Sequence, residues 1–397
     1  MEDKLIIILV GLPARGKSFT SNNLSRFLNW CGLNCKVFNS GEFRRKMLTG
    51  FQDSEFFNNE NFDKREEISK LCFEQLLEWL KNDGNIAIFD ATNTNVNRRL
   101  YLKNKAKENN INNLIFIELI TDDNNIINNN LQLKLISPDY IDKDKTFALE
   151  DFKKRLAHYQ DVYETINDNE NLKYIKIINF TEKLLIKNII GANESLIISY
   201  LMNLRLNKNS IYLTRHGESV NNQKMILGGD CSLTENGIEY GKNLENFISN
   251  DIKGNFIIYT SCLKRSIETV QFFKNKKIES RLLNEIHAGI CEGLTEKEIL
   301  FLFPNVYESR KKNKLNFRYP EGESYLDLLE RLRYFVLQIE SYNKPILIVA
   351  HNAVLKVLLG YFNNVDLKDI PYLDIPLNKV FKLTPNSKSY SMETFSI

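Results

Sequence analysis

Short apolar runs alternate along the whole chain with stretches whose apolar residues recur at helical spacing. In the first half the runs at residues 4–10, 36–39, 85–90, 114–120 and 174–178 read as buried strands. Between them, Leu71, Cys72, Leu76, Trp79 and Leu80 mark one face of a helix over residues 68–80. A second series offers strands at 210–213, 255–259, 279–282 and 345–350. Near-continuous apolar strands separated by amphipathic helices predict an α/β protein of two three-layer αβα domains, each a parallel sheet with helices on both faces. The joint is expected at 203–210, where an apolar stretch ending in Tyr200, Leu201 and Met202 gives way to Asn207, Lys208, Asn209 and Ser210. That places the domains at 1–208 and 209–397.

Composition narrows the classes without naming one. The 397 residues are 43% hydrophobic, enough for two large cores. Lys and Arg total 53 against 50 Asp and Glu, a net charge of +3, so bulk nucleic-acid binding is not implied. The six cysteines form no CxxC pair and have no His-x-x-x-His nearby, which fits a reducing cytoplasm rather than a zinc site. No run is apolar enough for a membrane span. Asparagine is abundant, and its bias reads as surface composition.

The first strand leads into Gly11-Leu12-Pro13-Ala14-Arg15-Gly16-Lys17-Ser18, a full GxxxxGK[ST] phosphate loop followed by a helical pattern. Glycines let backbone N–H groups curl round a triphosphate at a helix N-terminus, where the helix dipole favours anions. Lys17 is then the side chain for the β and γ phosphates, and Ser18 a ligand for Mg²⁺. Arg44, Arg45 and Arg65 are placed for a phosphorylated acceptor, since a guanidinium grips phosphate in a two-pronged fork; a solvated basic turn is the plainer reading. Asp90 ends the third strand ahead of Ala91-Thr92-Asn93-Thr94 and is a candidate for Mg²⁺ or for the acceptor's hydroxyl proton, with helix capping as its alternative.

In the second half a strand ends in Thr214-Arg215-His216-Gly217-Glu218-Ser219, presenting an imidazole that can attack phosphorus. His351 ends the strongest apolar strand of that half, so two histidines at two strand ends predict one shared site, whereas His158 reads as an ordinary surface residue. Arg215 and Arg265 can spread phosphoryl charge, and Glu285, after the strand ending in Leu282, is the candidate acid for the departing alkoxide. The basic run Arg310, Lys311, Lys312, Lys314 and Arg318 fits either a solvated face or a pocket for a second phosphate.

GLPARGKS at Gly11, FDATNT from Phe89, SPDYID from Ser137, YLMN from Tyr200, RHGES from Arg215 and YPEGESY from Tyr319 together resemble the bifunctional 6-phosphofructo-2-kinase/fructose-2,6-bisphosphatase family over nearly the whole chain. The resemblance implies an adenylate-kinase-like P-loop kinase domain followed by a phosphoglycerate-mutase-like histidine phosphatase domain. It implies Lys17, Ser18, Asp90 and Thr92 for ATP-Mg²⁺ and catalysis, with residues Gly11 to Ser18 holding ATP. Arg44, Arg45, Arg65, Thr92, Lys134, Arg155 and Tyr159 then surround fructose 6-phosphate. In the second half it implies His216 as nucleophile, Glu285 as acid, and Arg215, Arg265 and His351 as the phosphoryl clamp. Asn222 then contacts the clamped group, Arg310, Lys314 and Arg318 take the phosphate on carbon 6, and Asn352 and Lys356 complete the pocket for fructose 2,6-bisphosphate. Mg²⁺ serves the kinase half and no cofactor the other. A homodimer is left open, and neither nucleic acid nor membrane is a partner.

Some positions depart from the family pattern. The segment 124–133 lacks the family's usual residues, His287 stands for Asp, Glu296 for a pocket tyrosine, Asn352 for Gln and Lys356 for Arg. The chain stops soon after Leu383, so control by tail phosphorylation is not expected. The expected function is synthesis of fructose 2,6-bisphosphate from ATP and fructose 6-phosphate and its hydrolysis through phospho-His216, with control of glycolytic and gluconeogenic flux as the consequence. The alternatives are an active kinase beside a phosphatase of changed substrate, or beside a degenerate domain that senses phosphometabolites.

Overall fold

A computed structural model describes residues 4–48, 53–57, 60–135, 139–180, 182–205, 209–386 and 389–397. The side chains of Phe62, Asn124, Asn125, Asn129, Leu133 and Lys134 lie outside that description, as do Ser137, Pro138 and the expected joint at Lys208. The chain divides into two compact units, Met1–Leu204 and Arg205–Ile397.

Unit one runs β1 (Leu5–Val10), α1 (Lys17–Trp30), β2 (Cys35–Asn39), α2 (Ser40–Met47), α3 (Phe62–Asn82), β3 (Ile86–Asp90), α4 (Val96–Glu108), β4 (Asn113–Ile120), α5 (Asn124–Leu135), α6 (Lys145–Gln160), β5 (Tyr174–Ile178), β6 (Lys183–Lys187) and α7 (Ala192–Asn203). The sheet order is β2-β3-β1-β4-β5-β6. Side chains alternate across a strand, and β1 is buried on both faces. Ile6, Ile8 and Val10 pack with Phe73, Leu76 and Leu80 of α3 and Leu102 of α4. The opposite face is covered by α1, against which α7 stacks Tyr200 on Phe27 at 4.3 Å. Three layers follow from the continuous apolar strand, as the pattern predicts.

Unit two runs β7 (Ile211–Arg215), α8 (Val220–Gln223), α9 (Glu235–Asp251), β8 (Ile257–Thr260), α10 (Lys264–Thr269), β9 (Lys277–Glu279), α11 (Glu296–Leu302), α12 (Pro304–Lys312), α13 (Tyr325–Glu340), β10 (Ile346–Ala350), α14 (Asn352–Phe362), β11 (Lys379–Pro385) and β12 (Tyr390–Ser396). Its sheet order is β12-β11-β7-β10-β8-β9. Tyr212, Leu347 and Val349 meet Tyr240, Leu244 and Ile248 of α9 on one face. On the other, α13 sets Phe335 edge-on to Tyr259 at 5.2 Å.

The sheets correct the sequence reading in two respects. They are mixed rather than parallel: β6 pairs antiparallel with β5, and β11 antiparallel with both β7 and β12. The expected strand at 279–282 is displaced: β9 ends at Glu279, and Arg281–Leu283 form a 3-10 turn. Edge strands lack the apolar density of central ones; in β6 even Leu185 and Ile186 remain exposed. Among the described residues no helix is long and apolar enough to cross a membrane.

Candidate active sites

Both constellations form at the carboxyl ends of central parallel strands, where the chain leaves the sheet and backbone groups become free for ligands. In unit one the loop after β1 bends through Gly11 (φ 139°), Ala14 (φ 59°) and Gly16 (φ 84°). A Cβ at Gly11 would sit 2.6 Å from the Leu119 carbonyl oxygen, so only glycine fits. The Gly11 N–H donates to the Thr92 carbonyl at 2.9 Å, tying the loop to the segment after β3. Lys17 is the first residue of α1 and folds back on the Leu12 carbonyl at 2.7 Å. Arg15, also buried, reaches back toward the Pro13 carbonyl at 3.4 Å.

Asn39 and Asp90 end neighbouring strands in direct register. The Asn39 side-chain oxygen accepts from the Glu42 N–H at 2.9 Å and so caps α2. That leaves its amide nitrogen to donate to the Asp90 carboxylate and toward the Ser18 hydroxyl at 3.5 Å. Ser18 and Asp90 are thereby brought within reach of one amide, a pair of hard oxygen atoms beside the phosphate loop that could hold a divalent cation.

The capped helix presents Arg44 and Arg45 from its last turns. Both meet Asp139, and Arg155 of α6 joins them. Burial drives the Arg44 pKa down, and Arg155 adds to the effect. Arg65 donates to the Phe56 carbonyl at 2.9 Å, and Tyr159 packs on Phe57 at 6.0 Å, so these two line the same neighbourhood. The side chain of Lys134 lies outside the described residues.

In unit two the register dictates the site. Ala350 pairs with Arg215 and Val349 with Thr260, so His351 and His216 leave two adjacent strands at one level, and Ser261 leaves the third one residue earlier. The histidine rings stand 5.0 Å apart at 54°. His216 Nδ1 lies 2.7 Å from the Gly217 carbonyl oxygen, which can only accept, so this nitrogen carries the proton. Nε2 keeps its lone pair and receives the Arg265 Nε–H at 3.1 Å. Burial first, then the Arg265 cation, push the His216 pKa down to about 3. His351 is driven well below its ordinary value by burial and then by His216, Arg265, Arg215 and Arg331.

Backbone carbonyls aim the cations. Arg265 Nη1 donates to Gly229 at 2.7 Å, and Arg215 Nη1 to Ile375 at 2.9 Å. His351 Nε2 meets the Ser261 hydroxyl at 2.7 Å, while its Nδ1 is buried without a partner among the described residues. Glu285 accepts from the Ile286 N–H at 2.9 Å and from the Ala353 N–H, at the start of α14, at 3.2 Å. Nearby, Lys314 and Lys356 both donate to the Pro371 carbonyl at 3.0 Å. Burial and then the Lys356 and Arg310 cations lower the Lys314 pKa to about 8.

A 6-phosphofructo-2-kinase family model matches residues 1–208, and a histidine phosphatase superfamily (branch 1) model residues 211–397. The chain is 37% identical over 396 residues to 6-phosphofructo-2-kinase/fructose-2,6-bisphosphatase 4 of Rattus norvegicus, spanning 98% of this chain and 84% of the relative. It belongs to the 6-phosphofructo-2-kinase/fructose-2,6-bisphosphatase family. The 6-phosphofructo-2-kinase/fructose-2,6-bisphosphatase of Aquarana catesbeiana is 39% identical over 397 residues, with 98% and 84% covered. A relative from Saccharomyces cerevisiae, 6-phosphofructo-2-kinase 1, is 38% identical, and the match spans 96% of this chain but 50% of that protein.

Some residues that the family resemblance implies stand apart from these clusters. Arg318 is largely exposed and pairs with Asp327 instead of joining Lys314 and Lys356. Asn222 is tied into a capping box, its oxygen accepting from the Ser219 N–H at 3.0 Å. Asn352, half-buried, opens α14. Glu296 opens α11 and is exposed, and exposed His287 accepts from the Gly289 N–H at 3.2 Å. Sequence reasoning missed Asn39, Asp139 and Ser261. Asn39 had a signal, an Asn three residues before Glu42 at a strand end; Ser261 had none without the register.

Proposed function

We propose that this chain makes fructose 2,6-bisphosphate from ATP and fructose 6-phosphate in its first half, 1–208, and hydrolyses it in its second, 209–397. The observation that carries the reading is His216: a buried, neutral imidazole whose Nε2 lone pair is held against Arg265. In the kinase half, residues Gly11 to Ser18 wrap the triphosphate and Lys17 leaves the Leu12 carbonyl for the β and γ phosphates. Arg44, Arg45, Arg65, Arg155 and Tyr159 orient fructose 6-phosphate, and Thr92 lines its approach. Asp90 accepts the proton of the attacking hydroxyl. Mg²⁺, held by Ser18 and Asp90, would neutralise charge on the triphosphate.

In the phosphatase half His216 Nε2 attacks the 2-phosphoryl phosphorus, and the bond to the sugar oxygen breaks as Glu285 delivers a proton to it. Arg215, Arg265 and the Nδ1–H of His351 hold the phosphoryl oxygens, Ser261 donating to His351 Nε2 to fix that tautomer. Water, deprotonated by Glu285, then cleaves the phosphohistidine. Arg310, Lys314 and Lys356 receive the 6-phosphate, with Arg318 and Asn352 at its rim and Asn222 bracing the clamp. Lys356 shares its carbonyl with Lys314, so the cation survives the family's Arg-to-Lys change, which favours the bisphosphate over a changed substrate. The six free cysteines agree with the cytoplasm.

Brief mixing with fructose 2,6-bisphosphate labelled at the 2-phosphate should leave label on His216, and His216→Ala should stay unlabelled. Equal labelling of both proteins would refute the assignment.

A further inference from the structure

Three guanidiniums converge on the one carboxylate of Asp139: Arg44 at 2.9 Å, Arg45 at 3.3 Å and Arg155 at 3.5 Å. Phe57 forms an apolar floor, with Arg155 at 3.8 Å and Arg44 at 5.0 Å from its ring centroid. Burial works against ionisation of Asp139, yet Arg44, Arg155 and Arg45 together outweigh it and hold its pKa below the usual carboxylate range. The carboxylate is therefore charged at neutral pH, and it answers only one of three positive charges.

The fit is also incomplete in geometry. Only the Arg44 contact is short; the other two lie near the limit of a charged hydrogen bond. The Nε–H groups of Arg44 and Arg155 are buried with no acceptor among the described residues. A buried donor left unmade is costly, so the cluster is built for an acceptor with more oxygens than Asp139 can offer. A phosphate monoester has three terminal oxygens and up to two negative charges, which meets both deficits.

We propose that Asp139 is a tethered stand-in for the acceptor's phosphate: without ligand its carboxylate occupies the arginine cluster, and the sugar phosphate displaces it. The inference rests on the reading that this cluster receives the phosphate of fructose 6-phosphate. A fixed strut would instead stay on the arginines while the ligand binds. A stand-in keeps buried like charges together when the site is empty, at the expense of apparent affinity for the ligand. Weak, singly charged anions compete poorly with a tethered carboxylate, so the device also selects for dianions.

Calorimetric titration of the full chain with fructose 6-phosphate, inorganic phosphate and unphosphorylated fructose separates these cases. Asp139→Asn keeps the size and removes the charge. It should bind fructose 6-phosphate and inorganic phosphate about tenfold more tightly than the unaltered protein if the stand-in holds the site roughly nine-tenths of the time. Fructose affinity should not change. Unchanged or weaker phosphate binding by a folded Asp139→Asn protein would make Asp139 a strut and overturn the proposal. Failure of the unaltered protein to bind fructose 6-phosphate at all, with or without a non-hydrolysable ATP analogue, would instead reject the acceptor-site reading. Asp139→Ser repeats the test if the asparagine variant does not fold, and collapse of both variants counts against a displaceable carboxylate.

Discussion

His216 needs no deprotonation step to act. Its Nδ1 proton is held by the Gly217 carbonyl, and its pKa of about 3 keeps Nε2 unprotonated through the whole neutral range. Folding holds this ring neutral while the unfolded chain protonates it below pH about 6.5. Its contribution to stability is therefore present above that pH and falls as pH drops toward 3. The alkaline side is set elsewhere. Lys314, with its pKa near 8, is charged below that pH and loses its charge above it, so phosphate affinity falls as pH rises. Hydrolysis measured as kcat/KM should decline above pH about 8. Lys314→Arg should move that decline to higher pH, because a guanidinium stays protonated. An unchanged alkaline limb in the variant would remove Lys314 from the substrate pocket.

Among the elements, α2 links backbone capping to chemistry. Asn39 closes its first turn and offers the opposite end of its amide to Asp90 and Ser18. Asn39→Ala should cost about 1 kcal/mol in denaturant unfolding through the lost cap. It should also lower kinase kcat while leaving hydrolysis intact; an unaltered kinase rate would confine Asn39 to capping. The sequence made the central strands legible because β1, β3, β4 and β10 are largely apolar runs flanked by turns. It did not reveal β6, a five-residue edge strand whose Leu185 and Ile186 stay exposed, nor β11 and β12, whose partly exposed faces carry polar residues, nor the early end of β9. Glu118, fully buried within β4, also breaks the expected apolar rule. Lys176, Tyr163 and the Ile166 N–H satisfy it from residues far along the chain.

For the molecule as a whole, motifs carried more than patterning. The phosphate loop and the His216 strand end could be located from sequence because local turn chemistry fixes them. Asp139 and Ser261 could not, since their roles arise only when distant elements meet. Each of the two units gathers its own candidate residues at the carboxyl ends of its central strands. The central claim is that one chain carries both activities independently. Both rates should be measured on single preparations of the unaltered protein, Lys17→Met and His216→Ala. The first variant should lose synthesis of acid-labile fructose 2,6-bisphosphate and keep its hydrolysis, and the second should do the reverse. Loss of both activities in either variant, or absence of one from the unaltered protein, would contradict the account.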